Sequence, residues 1–188
     1  MTESTAARNK KGGARAPAHL FEWLQCIVFA IIVVMVLFIF VGRPMTVQKV
    51  SMNPTLAEND RLIITNVFYT PKQEDIIVFS KASYEDGAPL VKRVIATEGQ
   101  TVDIDTEKGV VYVDGVALSE DYIADLTRTV YDVQFPYVVP EGCVFVMGDN
   151  RNKSIDSRRS DIGPVDTREI LGKVTAVIMP FSRFKLYL

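Results

Sequence analysis

Leu24 to Val41 reads LQCIVFAIIVVMVLFIFV, apolar but for Gln25, and this run constrains the chain more than any other feature. A bilayer core takes roughly 20 apolar residues as helix, and Leu20 and Phe21 lengthen the run upstream. A cleaved secretory signal has an apolar region of roughly 7–15 residues and ends at a small-residue site. This run is longer and leads into Arg43-Pro44-Met45. A core helix would carry a polar stripe, and none is present. Trp23 fits an interfacial anchor. Within residues 1–19, Arg8, Lys10, Lys11 and Arg15 stand against one acid, Glu3. The positive-inside rule then puts the N-terminus in the cytoplasm and everything after about residue 43 outside. The expected organisation is a basic cytoplasmic tail at 1–19, polar and disordered over 1–18, a transmembrane helix at 20–42 and a folded domain at 43–188.

The remaining length suits one domain. Past Pro44 the pattern becomes short alternating runs: TVQKV, RLIITNVF, DIIVFSKA, LVKRVIA, TVDI, GVVYV, CVFVMG and KVTAVIM. These read as strands. Asp114-Gly115 between GVVYV and VAL is a two-residue hairpin signal. A mainly β, antiparallel domain follows, with a short helical turn expected after Pro54 and a small excursion at 98–139. The net charge of −2 gives no basic footprint for nucleic acid. Cys26 lies in the apolar run and Cys143 far downstream, so no disulfide is expected. One His and two distant Cys make a zinc site improbable, and no cofactor is implied.

The lone histidine, His19, sits at the inner end of the apolar run. A Ser-His-Asp triad or a Cys-His pair beyond the membrane is therefore excluded. Acyl-transfer chemistry would need another base, and lysine is the common choice. A lysine serves only if burial lowers its pKa. In LVKRVIA, alternation puts Leu90, Lys92 and Val94 on one face and Val91, Arg93 and Ile95 on the other. That makes Lys92 a plausible buried lysine, although from this run alone a surface lysine on an edge strand is the preferred reading. Ser51 in VSMNPTL precedes Pro54, which restricts Asn53 to extended geometry and sets a turn; a solvated turn serine is the plainer reading. Ser182-Arg-Phe-Lys185 matches a Ser-x-x-Lys pattern but lacks its partner motifs. Asn152-Lys-Ser154 matches a glycosylation acceptor.

Taken in order, Ser51-Met52-Asn53-Pro54-Thr55 soon after the apolar run, Lys92-Arg93 in a strand, and Gly148-Asp149-Asn150-Arg151-Asn152-Lys153-Ser154-Ile155-Asp156-Ser157-Arg158 resemble the motifs of bacterial type I signal peptidases. The single span and short middle region look like the smaller Gram-positive forms. The resemblance covers the span and roughly residues 44–165. It implies a membrane-anchored serine endopeptidase that removes signal peptides from translocated preproteins, cutting after small residues. Ser51 would be the nucleophile and Lys92 the general base. Ser154 would orient the Lys92 amine. Asp156 and Arg158 would pair, and Asp149 and Arg93 would support the loop. The Ser51 backbone N–H would help stabilise the oxyanion. Met45, Val47, Met52, Leu90 and Val91 are the expected lining of the substrate pocket. The expected partners are preprotein signal peptides, membrane lipid and the secretion translocon.

Three positions depart from the pattern. Relatives carry Gly or Ser two residues before the nucleophile, where this chain has Lys49. It could point away, donate to the oxyanion, or lower the Lys92 pKa by repulsion. Gln73-Glu74-Asp75 stands where Arg-Gly-Asp is usual, and VIATEGQ follows Lys92-Arg93 where Gly-Asp is common at the end. Two other readings compete. A self-cleaving repressor-type peptidase shares Ser-Lys chemistry but is soluble, against the apolar run. An anchored binding domain without activity would leave Lys92 exposed and protonated.

Overall fold

A computed structural model describes residues 16–187. Residues 1–15, which hold most of the expected basic, disordered tail, lie outside the described residues. The chain divides into two units at Phe38/Ile39.

The first unit holds all but the last three residues of helix α1, Ala16–Val41, 26 residues long. Its His19–Val36 stretch is apolar enough to cross a membrane and buries none of that window within the protein. Ile, Val, Leu and Phe populate every face, so the helix has no side to turn toward a protein core. Trp23 is exposed near its start.

The second unit is β-rich. Its strands are β1 Arg43–Thr46, β2 Arg61–Thr65, β3 Ile76–Ser80, β4 Pro89–Thr97, β5 Thr101–Asp105, β6 Val110–Val113, β7 Val116–Ala117, β8 Tyr137–Val138, β9 Cys143–Met147, β10 Val165–Asp166, β11 Ile170–Met179 and β12 Lys185–Leu186. The larger sheet runs β1-β2-β11-β3-β4-β9-β10, with β12 on β11, and the smaller runs β7-β6-β5-β8. The strand pairs in both are antiparallel. Ile95, Phe145 and Met147 from β4 and β9 pack with Val102, Val111 and Val113, which joins the two sheets through one apolar layer. Asp114 and Gly115 both take positive φ, 51° and 79°, the backbone that a tight right-twisted hairpin between β6 and β7 requires. Cys26 and Cys143 are free.

Two local expectations need correction. TVQKV is not a strand over its length. Strand β1 lies earlier, and β2 gives it partners only from Arg43 to Thr46. Val47 still bonds with Asn59 and Asp60, but beyond it the chain has left β2. The helical turn also precedes Pro54 rather than following it: Val50–Met52 forms a 3₁₀ turn, and Asn53 is extended, with φ −63° and ψ 141°. Freed from β2, this turn carries Ser51 toward β4.

Candidate active site

Strand β4 supplies the lysine. Leu90 and Val94, its neighbours by alternation, belong to one buried cluster, and Val91 packs against another. Lys92 is 1% exposed. Burial drives its pKa down to about 8, because a desolvated ammonium is costly. Asp156 and Asp149 oppose that fall, while Lys49 and Arg158 add to it. Lys92 Nζ lies 2.7 Å from Ser51 Oγ and donates to the Val91 carbonyl at 2.8 Å. A neutral amine in this position can donate to Val91 and accept the Ser51 proton.

The Ser51 backbone is held from the loop after β9. Asn150 donates its N–H to the Ser51 carbonyl at 3.0 Å and its Nδ2 to the Val50 carbonyl at 3.2 Å. Gly148 makes this approach possible. A Cβ there would meet the Ser51 carbonyl oxygen at 2.5 Å and would collide with the Ser154 hydroxyl. Asn150 appears in the sequence motif, but only the fold assigns it this task.

The loop is pinned by buried ion pairs. Arg93 donates through Nε and Nη2 to the two Asp149 carboxylate oxygens at 2.8 and 2.7 Å. Thr55 Oγ1 donates to Asp149 at 2.5 Å, which ties the residues after the nucleophile to the same carboxylate. Arg158 makes a matching fork with Asp156, 2.8 Å on each side. It also donates to the carbonyls of Thr129 and Arg151. Burial is the largest influence on Asp156 and would raise its pKa, but the Arg158 charge and the hydrogen bonds the carboxylate accepts together outweigh it and hold the carboxyl below its ordinary value. Its other role is local: Asp156 accepts from the Gly148 N–H at 3.0 Å. Two-pronged charge-assisted bonds of this kind fix geometry as well as charge.

Sequence reasoning missed a second layer. Arg151 is wholly buried, pairs with Glu120 at 2.6 Å and donates to Thr127. Arg93 stacks on Tyr122 at 3.9 Å. Glu120 and Tyr122 come from the acidic stretch SEDYIAD, which alternation and charge alone mark only as a solvated surface. Ser154 is buried beside Gly148, and its Oγ has no hydrogen-bond partner. In this structure Lys92 Nζ donates a hydrogen bond to the Val91 carbonyl and none to Ser154.

A cleft of about 310 Å³ contains both Ser51 and Lys92. Met45, Val47, Met52, Leu90 and Val91 line it. One wall is the Met45–Met52 segment and the other is Ala88–Lys92. On that second wall β3 pairs with Pro89–Arg93, but β9 joins β4 only from Arg93 onward. The cleft therefore presents a stretch of β4 edge that no strand covers. Lys49 also lines the cleft, but its ammonium lies 2.8 Å from both Glu85 carboxylate oxygens and 3.0 Å from Tyr84 Oη. Of the roles open to Lys49, pointing at the oxyanion position is not the one adopted. Among the described residues no group of three or more His, Cys, Asp or Glu could hold a metal ion.

Over most of its length the chain is similar to known proteins. The family described as signal peptidase, peptidase S26, matches residues 20–179. A probable signal peptidase I-1 of Synechocystis sp. is 38% identical over 173 residues, covering 87% of this chain and 84% of that protein. A signal peptidase I of Bacillus licheniformis is 32% identical and covers 98% of each chain. A crystal structure of a signal peptidase I from Enterococcus faecalis is 34% identical, with a TM-score of 0.45, over 57% of this chain and 98% of that one. With a family match across most of its length and relatives this similar, the chain belongs to the bacterial type I signal peptidases, serine endopeptidases of the S26 family that remove signal peptides.

Proposed function

We propose that this chain is a single-pass enzyme of the cell membrane that cleaves preproteins after small residues by a Ser51–Lys92 dyad. Residues 1–19 form the cytoplasmic tail, 20–42 the span, and 43–188 an extracytoplasmic catalytic domain with an excursion at 98–139. The observation that carries the dyad is the 2.7 Å approach of Ser51 Oγ to an amine that is almost wholly buried. An ordinary surface lysine, the requirement of the binding-domain reading, does not fit that burial.

The uncovered β4 edge suits an extended peptide, which would add main-chain hydrogen bonds there and turn alternate side chains into the cleft. Met45, Val47, Met52, Leu90 and Val91 line the cleft, and the family resemblance implies small side chains at the first and third positions before the cut. Neutral Lys92 takes the Ser51 proton as Oγ attacks the scissile carbonyl. The Ser51 backbone N–H stabilises the resulting oxyanion. Lys92 then gives its proton to the leaving amine, and the mature protein departs. Water, deprotonated by Lys92, attacks the acyl-Ser51 ester; as the bond to Oγ breaks and frees the signal peptide, Lys92 returns that proton to Ser51 Oγ. The unpaired Ser154 hydroxyl is available to hold Lys92 as the proton moves. Asp149, Arg93, Asp156 and Arg158 keep the loop and the nucleophile in register. Membrane lipid and the secretion translocon are the further partners of this reading. Val41 and Ser51 are ten residues apart, which keeps the site within roughly 33–36 Å of the span's end.

Full-length protein in lipid should cleave a preprotein bearing an Ala-x-Ala site. Ser51→Ala should abolish cleavage, and Lys92→Ala should lower kcat/KM by at least 10²–10⁴, the usual worth of a positioned base. Wild-type protein that leaves the substrate intact, beside a relative that cuts it, would defeat the proposal.

A further inference from the structure

Lys49 and Glu85 reach toward each other from opposite walls of the cleft. Lys49 belongs to the Met45–Met52 wall, and Glu85 opens the 3₁₀ turn Glu85–Gly87 ahead of β4. Their side chains are 51% and 52% exposed, yet they meet at 2.8 Å. Tyr84 holds one end: its ring is buried in the core, its Oη accepts from Lys49, and the ammonium sits 5.1 Å from its ring centre. The hydrogen bonds that Lys49 donates to Glu85 and Tyr84 raise its pKa, so its charge is secure at neutral pH. The apolar lining residues Met45, Val47, Met52, Leu90 and Val91 are buried or half-buried, whereas this ion pair is half exposed.

An extended peptide turns successive side chains to opposite faces. With the first and third residues before the cut turned to that apolar lining, the second turns outward. Lys49 is two residues from the nucleophile, at most roughly 7 Å along the chain, about the reach of two extended peptide residues. We infer that the Lys49–Glu85 pair is a specificity-determining element that reads the charge of the second residue before the cut. A carboxylate at that position would pair with Lys49 and a cation with Glu85, so the intact pair balances the two. An exposed pair is weakly held, and a peptide displaces it at little cost. The inference rests on the peptide path given under Proposed function.

The test uses full-length protein in lipid and three peptides that differ only in carrying Ala-Asp-Ala, Ala-Gln-Ala or Ala-Lys-Ala before the cut. The quantity read is the kcat/KM for the Lys peptide over that for the Asp peptide. Both come from one preparation, so a change in folded fraction cancels. Lys49→Ala should raise this ratio about fivefold and Glu85→Gln should lower it about fivefold, as expected for one close charge pair in water. The reversed pair, Lys49→Glu with Glu85→Lys, should bring the ratio back near the wild-type value. Both single-variant shifts should shrink in about 1 M salt, where the screening length is about 3 Å. Ratios unchanged in both single variants, with the Ala-Gln-Ala peptide still cleaved by wild type, overturn the inference alone. Wild-type protein that cleaves none of the peptides overturns the dyad assignment and this inference with it.

Discussion

Lys92 shows what a single buried amine costs and what it gains. Its pKa falls from 10.5 to about 8, so the folded state binds fewer protons than the unfolded state between those values. Stability therefore rises with pH across that window, and below it the protein carries the whole penalty, on the order of 3 kcal/mol. Lys92→Met keeps the length and removes the charge. The expected result is an inactive protein more stable than wild type at pH 7, by up to about 3 kcal/mol in denaturant unfolding, with the gain fading above pH 8. Lys92 and Ser51 could be picked out in the sequence because the only histidine is at the wrong end of the apolar run and because their motifs come in order. The surroundings of Lys49 could not. Tyr84 and Glu85 lie 35 and 36 residues away, and no periodicity relates them to the nucleophile. Arg151 was equally hidden, since nothing local distinguishes a buried arginine from a solvated one before its partner, Glu120, is placed.

At the level of elements, the loop after β9 acts as a clamp whose strength lies in paired charges. Arg93 and Asp149 are 9% and 0% exposed. Asp149→Ala would leave a buried guanidinium without its counter-ion, at a cost of about 3–5 kcal/mol in thermal or denaturant unfolding. Replacing both residues by apolar ones of similar size should cost less than the single change, because no charge is then stranded. Long alternating runs such as LVKRVIA and KVTAVIM read directly as strands β4 and β11, and Asp-Gly as the β6–β7 turn. Strands β7, β8, β10 and β12 have two residues each, too few to carry a period. TVQKV misled for a related reason. Its alternation is sound, but strand formation needs a partner, and β2 offers none beyond residue 46; Val47 bonds only with Asn59 and Asp60, which precede β2.

For the whole molecule, sequence alone sets the order of parts: an apolar helix, then a β-rich domain. It does not set which strands are neighbours. The larger sheet places β11 between β2 and β3, a long-range pairing that depends on which apolar faces fit together rather than on local pattern. Orientation in the membrane is the proposal that belongs to this scale. Protease added outside intact spheroplasts should digest the β-rich domain, whereas inverted vesicles should shield it. Digestion only in inverted vesicles would place the domain in the cytoplasm and contradict the proposed substrate.

The central claim is that Ser51 is activated by Lys92 in its neutral form. The pH dependence of kcat/KM for one Ala-x-Ala substrate, with full-length protein in lipid, tests it most directly. A base with a folded-state pKa of about 8 predicts activity that climbs as pH rises through about 8 and levels off above it. A climb centred near 10.5, the ordinary lysine value, or a rate that does not change across pH 7–9, would contradict it.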